Sequence, residues 1–231
     1  VFVPTNDGYL HAIDSQTGEE LWAFIPPEFL PRLTDLYEDH TVAQRTYALD
    51  GDVTVFKYDV NGNGVVEAGD RVYIFFGFAR GGSTYYALDV TDKTDPRFLW
   101  RIDGSTLPGL GKAWSPPQIA QVNISGAAQN PGKFVLIFGG GYDEAQENYT
   151  YTADSVGNRI FMVDLATGAR LWYAGNVAGA DLNLAAMNNS IPSRVSVLDI
   201  DGDKFADRVY VGDTGGRLWR FDIWNGNPVG S

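Results

Sequence analysis

Apolar and polar residues alternate along short stretches of this chain, and turn-forming residues separate one stretch from the next. Residues 1–24, VFVPTNDGYLHAIDSQTGEELWAF, alternate on both sides of Asn6-Asp7-Gly8 and again around Gln16-Thr17-Gly18. A period of two is typical of strands that bury one face, and these turn residues favour tight hairpins. The opening of the chain therefore predicts three antiparallel strands.

The same pattern recurs three more times along the chain. GNRIFMVDLATGARLWYAG repeats it most closely, and looser copies begin near Val72 and Arg208. An aspartate occupies the equivalent position of each copy, so the copies are 75, 75 and 58 residues apart; these residues are Asp14, Asp89, Asp164 and Asp222. Standard propeller repeats are roughly 40 to 50 residues long, so this spacing indicates insertions between copies.

Three further β-rich stretches precede the later copies, at Tyr47–Asp59, Pro117–Ile124 and Ser193–Asp199. Each can supply the innermost strand of a four-stranded blade. We therefore expect an all-β fold, a quinoprotein-like β-propeller in which about four blades form a partial ring. The first copy lacks an innermost strand and the fourth ends before its outer strand. Residues 1–231 are therefore expected to be a single incomplete propeller domain of a larger protein.

The pairs Leu21-Trp22, Leu99-Trp100 and Leu171-Trp172 are expected to pack one sheet on the next, because each blade must bury an apolar face. Two insertions interrupt the strands. In PEFLPRLTDLYEDH, residues 27–40, apolar positions fall three to four residues apart, which predicts a short helix over the ring or its rim. Residues 139–158 are polar and aromatic without a clear period, which predicts a long loop on one face.

The composition narrows the functional classes. Hydrophobic residues make up 44% of the chain and charged residues 20%, which is enough for a packed core. The net charge of −12 repels nucleic acid and anionic lipid. No apolar run approaches the roughly 20 residues of a membrane-spanning helix, so this stretch is not expected to insert into a membrane. The absence of cysteine excludes disulfides and thiolate metal sites.

One acidic segment has the spacing of a calcium loop. In DIDGDKFAD, Asp199, Asp201, Asp203 and Asp207 occupy positions 1, 3, 5 and 9, and the Phe205 carbonyl stands at position 7. Alternate residues of a tight loop can turn their oxygens toward one point, as in the first half of an EF-hand loop. A flexible cage of hard oxygen donors suits Ca²⁺ better than Mg²⁺ or the transition metals. This segment predicts a Ca²⁺ site.

A second segment, DVNGNGVVEAGD, follows the Ca²⁺ loop pattern with glycine at position 6. Its final position carries an aspartate where a longer, bidentate glutamate is usual. The strand-like flanks VTVFKY and RVYIFF exclude a helix-loop-helix pair, so any switching must act through loop order. The candidate ligands are Asp59, Asn61, Asn63, the Val65 carbonyl, Glu67 and Asp70.

Several of these tracts resemble the C-terminal propeller of the PilY/PilC family of type IV pilus biogenesis factors and tip-associated adhesins. They are VLDIDGDKFADRVYVGDTGGRLWRFD, VFVPTNDGYLHAIDSQTGEELWAFIP, GKAWSPP and GNRIFMVDLATGARLWYAG. The ordered set spans nearly the whole chain. The resemblance implies a non-enzymatic protein of the bacterial cell surface, the pilus tip, or the outer membrane and periplasm.

The resemblance also implies a function. Such a propeller supports pilus extension, counters retraction and contributes to twitching motility and surface attachment. Its implied partners are pilins or minor pilins, and host or abiotic surfaces. Calcium occupancy of the loop that matches Asp199, Asp201, Asp203, Phe205 and Asp207 is implied to be the switch.

Two other classes share such repeats. A quinoprotein-type dehydrogenase pairs glycine-rich turns with tryptophan, but it needs a central funnel with a catalytic carboxylate, a stacked tryptophan and basic side chains. No set of residues for that funnel is found in the sequence, because its densest acidic residues fall in one turn and do not converge from several blades. A periplasmic scaffold for outer-membrane assembly is compatible with the repeats, but it leaves the two acidic loops unexplained.

Overall fold

The computed structural model describes residues 1–38, 47–124, 134–148, 150 and 152–224, and these ranges are mostly strand. The helical parts are one α-helix, α1 (Leu33–Tyr37), and three 3₁₀ segments, Pro27–Arg32, Ala79–Gly81 and Glu144–Glu147. The strands are β1 (Phe2–Pro4), β2 (Leu10–Ile13), β3 (Glu20–Phe24), β4 (Val53–Tyr58), β5 (Arg71–Gly77), β6 (Tyr85–Asp89), β7 (Arg97–Ile102), β8 (Gln118–Gln121), β9 (Phe134–Gly139), β10 (Arg159–Asp164), β11 (Arg170–Gly175), β12 (Leu182–Asn183), β13 (Ser196–Leu198), β14 (Arg208–Gly212) and β15 (Leu218–Asp222).

The described strands form four sheets, one for each sequence copy. Their orders are β1-β2-β3, β4-β5-β6-β7, β12-β11-β10-β9-β8 and β13-β14-β15. All neighbours are antiparallel except the short β12, which pairs parallel to β11. The all-β, blade-like organisation is confirmed. Within the described ranges the first and fourth sheets have three strands each, and β12 extends the third sheet beyond four strands.

Apolar side chains fill the space between each pair of consecutive sheets. One cluster joins the first and second sheets, a second joins the second and third, and a third joins the third and fourth. Neighbouring residues of one strand serve different clusters, because strand side chains alternate between faces. Phe75 and Phe76 are both fully buried, yet Phe75 faces the third sheet and Phe76 the first.

The tryptophans of the outer strands dock each blade onto the next. Trp22 Nε1 donates a hydrogen bond to the Lys93 carbonyl at 2.9 Å, and Trp100 Nε1 donates to the Leu165 carbonyl at 3.0 Å. Both carbonyls belong to the following blade. The ring of Trp172 lies edge-on to Phe221 of the fourth sheet, with centroids 5.8 Å apart. The predicted sheet-to-sheet role of these residues is confirmed.

The strands predicted to be innermost lie next to strands of neighbouring blades. Strand β4 contacts β1, and β13 contacts β8. Thr54 Oγ1 of β4 donates to the Pro117 carbonyl at 3.0 Å, directly before β8. Arg194 and Asp52, which precede β13 and β4, form an exposed ion pair at 3.1 Å. These contacts gather the first strands of three blades on one side, as an innermost position requires.

The predicted helical insertion is present, but its apolar positions do not form one buried face. Only Phe29 is buried, against Phe78 at a centroid distance of 4.6 Å. Leu36 and Tyr37 are exposed, at 51% and 91%. The reason is that a 3₁₀ segment containing Pro31 precedes α1, and this change of helix type breaks the α-helical period. The last two residues of the predicted helix, 39 and 40, lie outside the described residues. In the part of the chain that the structure describes, no helix is long and apolar enough to cross a membrane.

Two buried aspartates anchor the long loop that the sequence predicts between β9 and β10. Asp143 accepts hydrogen bonds from the backbone N–H groups of Ala145 and Ser155, both at 2.9 Å. Asp154 accepts from the backbone N–H of Ser190, in the connection that leads to the fourth sheet. The loop is therefore tied at both of its ends.

We expect Trp100→Ala to lower the free energy of unfolding by about 3–5 kcal/mol, because it leaves a cavity between two sheets and an unpaired carbonyl. Trp224→Ala is the control, since Trp224 is 55% exposed and its loss should cost about 0.5 kcal/mol or less. Urea unfolding measures both values. Equal effects of the two substitutions would contradict the docking role of Trp100.

We expect acid to loosen the long loop. Burial favours the neutral acid of Asp143, but hydrogen bonds from the N–H groups of Ala145, Ser155 and Val156 outweigh burial and hold its pKa below the ordinary value. This stabilisation is therefore complete above the ordinary aspartate pKa and is lost as pH falls through the lowered one. Asp143→Ala should cost about 1–3 kcal/mol at neutral pH and less in acid. A cost that stays constant in urea unfolding across this pH range would contradict the assignment.

Candidate metal centre

The two acidic loops occupy the same place in two different blades. Residues 59–70 join β4 to β5 in the second blade, and residues 199–207 join β13 to β14 in the fourth. Each loop is thus the hairpin between the first and second strands of its blade. In both, a glycine at the fourth position has a positive φ, 71° at Gly62 and 81° at Gly202, which lets the chain turn back on itself.

In the fourth blade, carboxylates organise the loop through its own backbone. Asp199 Oδ1 accepts the Gly202 N–H at 2.7 Å, and Asp199 Oδ2 accepts the Lys204 N–H at 2.9 Å. Asp203 Oδ1 accepts the Phe205 N–H at 2.8 Å. Asp207 Oδ2 accepts the Ile200 N–H at 2.6 Å, so the last carboxylate folds back beside the first.

The second blade repeats these hydrogen bonds one for one. Asp59 Oδ1 accepts the Gly62 N–H and Asp59 Oδ2 accepts the Gly64 N–H, both at 2.7 Å. Asn61 Oδ1 accepts the Asn63 N–H at 3.0 Å, as Asp201 accepts that of Asp203. Asn63 Oδ1 accepts the Val65 N–H at 2.7 Å. The hydrogen bonds therefore align Asp59, Asn61 and Asn63 with Asp199, Asp201 and Asp203.

The closing carboxylate of the second loop is Asp70. Its Oδ1 accepts the Val60 N–H at 2.9 Å, the bond that Asp207 makes with Ile200. Its Oδ2 accepts the Glu67 N–H at 2.9 Å, and Asp70 is 1% exposed. Asp70, at position 12, is thus the counterpart of Asp207, at position 9. Counting positions from the first aspartate aligns Asp207 with Glu67 instead, but the run Asp-Arg-Val-Tyr, shared by residues 70–73 and 207–210, reveals the true correspondence.

Within the described ranges, one group of three acidic side chains is close enough to share a cation. It consists of Asp199, Asp201 and Asp207, whose oxygens lie within 4.8 Å of one another. The predicted ligand Asp203 is not part of this group. Phe205, whose carbonyl is the fifth predicted ligand, is half-buried. In the second loop, two asparagines take the places of Asp201 and Asp203, and Asn61 Nδ2 donates to Glu67 Oε1.

The electrostatics of the second loop favour the ionised form of Asp59. The hydrogen bond from the Gly64 N–H is the largest cause that lowers the pKa of Asp59 below its ordinary value, and Lys57 adds a smaller effect. In the fourth blade Lys204 adopts a φ of 79°, close to the 83° of Gly64 at the same position. Both loops thus present hard, anionic oxygen donors on the same backbone path, a donor set that suits Ca²⁺.

The fold and this site define a class: a β-propeller with acidic hairpins between the first two strands of its blades. A sequence profile of the PilY1 beta-propeller domain matches residues 1–230, so the chain belongs to this family.

Individual relatives agree with this assignment. A type IV pilus biogenesis factor PilY1 homolog of Xylella fastidiosa is 32% identical over 99% of this chain, and type IV pilus biogenesis factor PilY1 of Pseudomonas aeruginosa is 30% identical over 96%. The crystal structure of the Pseudomonas aeruginosa PilY1 C-terminal domain matches with a TM-score of 0.66 and 27% identity over 96% of this chain and 38% of that one. The chain spans only 16% and 17% of the length of the two relatives.

We expect Asp199→Ala to free the amides of Gly202 and Lys204, because it removes both of their acceptors. Hydrogen exchange of these two amides should become faster by about tenfold, which corresponds to a loss of about 1.4 kcal/mol. Asp92→Ala is the control, because Asp92 bonds the Thr94 N–H in an ordinary turn. If exchange of the Gly202 and Lys204 amides changes equally in both variants, a specific role of Asp199 is contradicted.

Proposed function

We propose that this chain is the calcium-binding propeller of a type IV pilus biogenesis and adhesion factor. The observation that carries the proposal is the pair of acidic hairpins with one shared hydrogen-bond pattern, on a chain that belongs to the PilY1 beta-propeller family. In this proposal the propeller regulates pilus extension and retraction, and thereby twitching motility, and it supports surface attachment. Ca²⁺ occupancy of the Asp199 loop is the switch.

The donor set fits the ion. Asp199, Asp201 and Asp207 already place oxygens within 4.8 Å of one another, and three such charges repel when no cation is near. Asp203 and the Phe205 carbonyl complete the proposed ligands of this loop. Bound Ca²⁺ would supply positive charge that cancels this repulsion. The Asp59 loop is proposed as a second site, with Asp59, Asn61, Asn63, Val65, Glu67 and Asp70 as its ligands.

The Asp199 loop is connected to the packing between blades. The Ala206 N–H donates to the Gln121 carbonyl of β8 at 2.8 Å, and the Asp207 N–H donates to the Leu198 carbonyl at 2.8 Å. Ala206 is buried in the cluster between the third and fourth sheets. Order in the loop therefore stabilises both the β13–β14 hairpin and its contact with the neighbouring blade, and we propose that this ordered surface is what the pilus recognises.

The partners in this proposal are pilus components, namely pilins or minor pilins, together with host or abiotic surfaces. The location is the bacterial cell surface, at the pilus tip or in the outer membrane and periplasm. The names of the relatives, type IV pilus biogenesis factors, support this assignment. They do not favour a quinoprotein-type dehydrogenase or a periplasmic assembly scaffold, and we propose a binding role without catalysis.

A calcium titration followed by thermal unfolding tests the proposal. At a concentration of 100 times Kd, Ca²⁺ should add about 2.7 kcal/mol of stability, which raises Tm by roughly 5–10 °C for a chain of this size. Extracellular calcium modules bind at about 10⁻⁴ to 10⁻³ M and sensors at about 10⁻⁷ to 10⁻⁵ M, so the titration should cover both ranges. The double variant Asp199→Ala, Asp207→Ala should lose the part of the rise that the Asp199 loop contributes, and any rise that remains reports the Asp59 loop.

Asp92→Ala is the matched control, because it removes an exposed carboxylate outside both loops and should keep the full rise in Tm. In cells that carry the full-length protein, the double variant should alter twitching motility while the control does not. A calcium-dependent rise that is the same in all three proteins would reject the Asp199 loop as the site.

A further inference from the structure

Asn61-Gly62 and Asn63-Gly64 are two consecutive asparagine–glycine pairs in one loop. Asparagine is among the chemically labile residues of proteins. When glycine follows it, the glycine nitrogen can attack the side-chain amide carbon, because no Cβ hinders the approach. Residues 61–64 are all exposed, so water and base reach the amides.

The hydrogen bonds of the loop act on both reacting groups. The N–H donors of Asn63 and Val65 bind the amide oxygens of Asn61 and Asn63 at 3.0 and 2.7 Å, which draws electron density from the carbons that would be attacked. Asp59 has the opposite effect on the attacking nitrogens, because its two oxygens accept the N–H groups of Gly62 and Gly64, both at 2.7 Å. Removing those protons beside a carboxylate places two negative charges together, which is unfavourable.

We propose that Asn61 and Asn63 are deamidation sites whose rate Asp59 restrains. The Gly62 or Gly64 nitrogen loses its proton to base and forms a bond to the side-chain carbon of the preceding asparagine. Ammonia leaves, and a five-membered imide remains. Water then opens the imide: attack at the side-chain carbonyl gives aspartate, and attack at the main-chain carbonyl gives isoaspartate.

Deamidation to aspartate makes the second loop like the first. The hydrogen bonds align Asn61 with Asp201 and Asn63 with Asp203. Conversion of both would give the second loop the three aspartates that open the Asp199 loop. Its carboxylates would increase from three, at Asp59, Glu67 and Asp70, to five. Because ligand charge tunes the affinity of such loops, the modified loop should bind Ca²⁺ more tightly. This last consequence rests on the proposed function.

Mass spectrometry of the peptide that contains residues 59–70 tests the chemistry. The folded chain is incubated in mildly alkaline buffer, and the replacement of NH₂ by OH is followed at each asparagine. Asp59→Ala should deamidate about tenfold faster than the parent, because the restraint is lost through local opening of the loop. The variant Asp92→Ala should match the parent, and the double variant Asn61→Gln, Asn63→Gln should show almost no change in this peptide.

The same incubation in urea separates the restraint from the intrinsic chemistry. In the unfolded chain the parent and Asp59→Ala should deamidate at equal, fast rates. If Asp59→Ala deamidates no faster than Asp92→Ala in the folded state, the proposed restraint by Asp59 is contradicted. If neither asparagine reacts even in urea, the assignment of Asn61 and Asn63 as deamidation sites is wrong.

Calorimetric titration with Ca²⁺ tests the consequence for binding. In a chain whose Asp199 loop is disabled by Asp199→Ala and Asp207→Ala, adding Asn61→Asp and Asn63→Asp should tighten the remaining site by about tenfold. Binding that is detectable but no tighter would overturn the consequence. A parent chain that binds no Ca²⁺ at either loop would overturn the proposed function, while the deamidation rates would still decide the modification.

Discussion

The structure depends on one constraint: a blade that lies between two other blades must bury apolar side chains on both of its faces. Phe75 and Phe76 are consecutive and fully buried, and so are Tyr85 and Tyr86 on the neighbouring strand. Adjacent strand residues point in opposite directions, so one sheet needs a partner sheet on each side. Stacking around an axis meets this need. It also brings the hairpins at the ends of the strands to equivalent positions, which is how two distant sequence segments become the same structural loop.

The repeated pattern made most of the fold predictable. Strand alternation, hairpin residues and the recurring aspartates depend on local chemistry. Because the pattern occurs four times, each copy must be interpreted as the same structural unit, which excludes most alternatives. The docking role of Trp100 followed from the same logic, since a large aromatic residue repeated at one blade position needs an apolar neighbour. The Asp199 segment could be found for a similar reason: its oxygen donors are close in sequence, so their convergence requires only a tight turn.

Features that depend on distant contacts could not be predicted. The parallel strand β12 pairs through two residues, too few to leave a periodic pattern. The exposed side of α1 follows from a change of helix type, which apolar spacing alone does not reveal. The match of Asp70 with Asp207 differs, because the sequence marks it. Both begin an Asp-Arg-Val-Tyr run, which a count from the first aspartate overlooks, and both accept the N–H of the second residue of their loop. Three additional residues in the second loop shift its position count without changing that bond.

The two hydrogen bonds of Asp70 have an energetic consequence for how the hairpins respond to a ligand. Both of its oxygens already bind peptide groups, of Val60 and of Glu67, and the side chain is enclosed. Asp70 is therefore fixed before anything binds, and a ligand there would cost little of its side-chain entropy. The half-buried Asp207 accepts the Ile200 N–H and lies close to Asp199 and Asp201. A ligand at this hairpin would therefore order its closing carboxylate more than a ligand at the second hairpin would order Asp70.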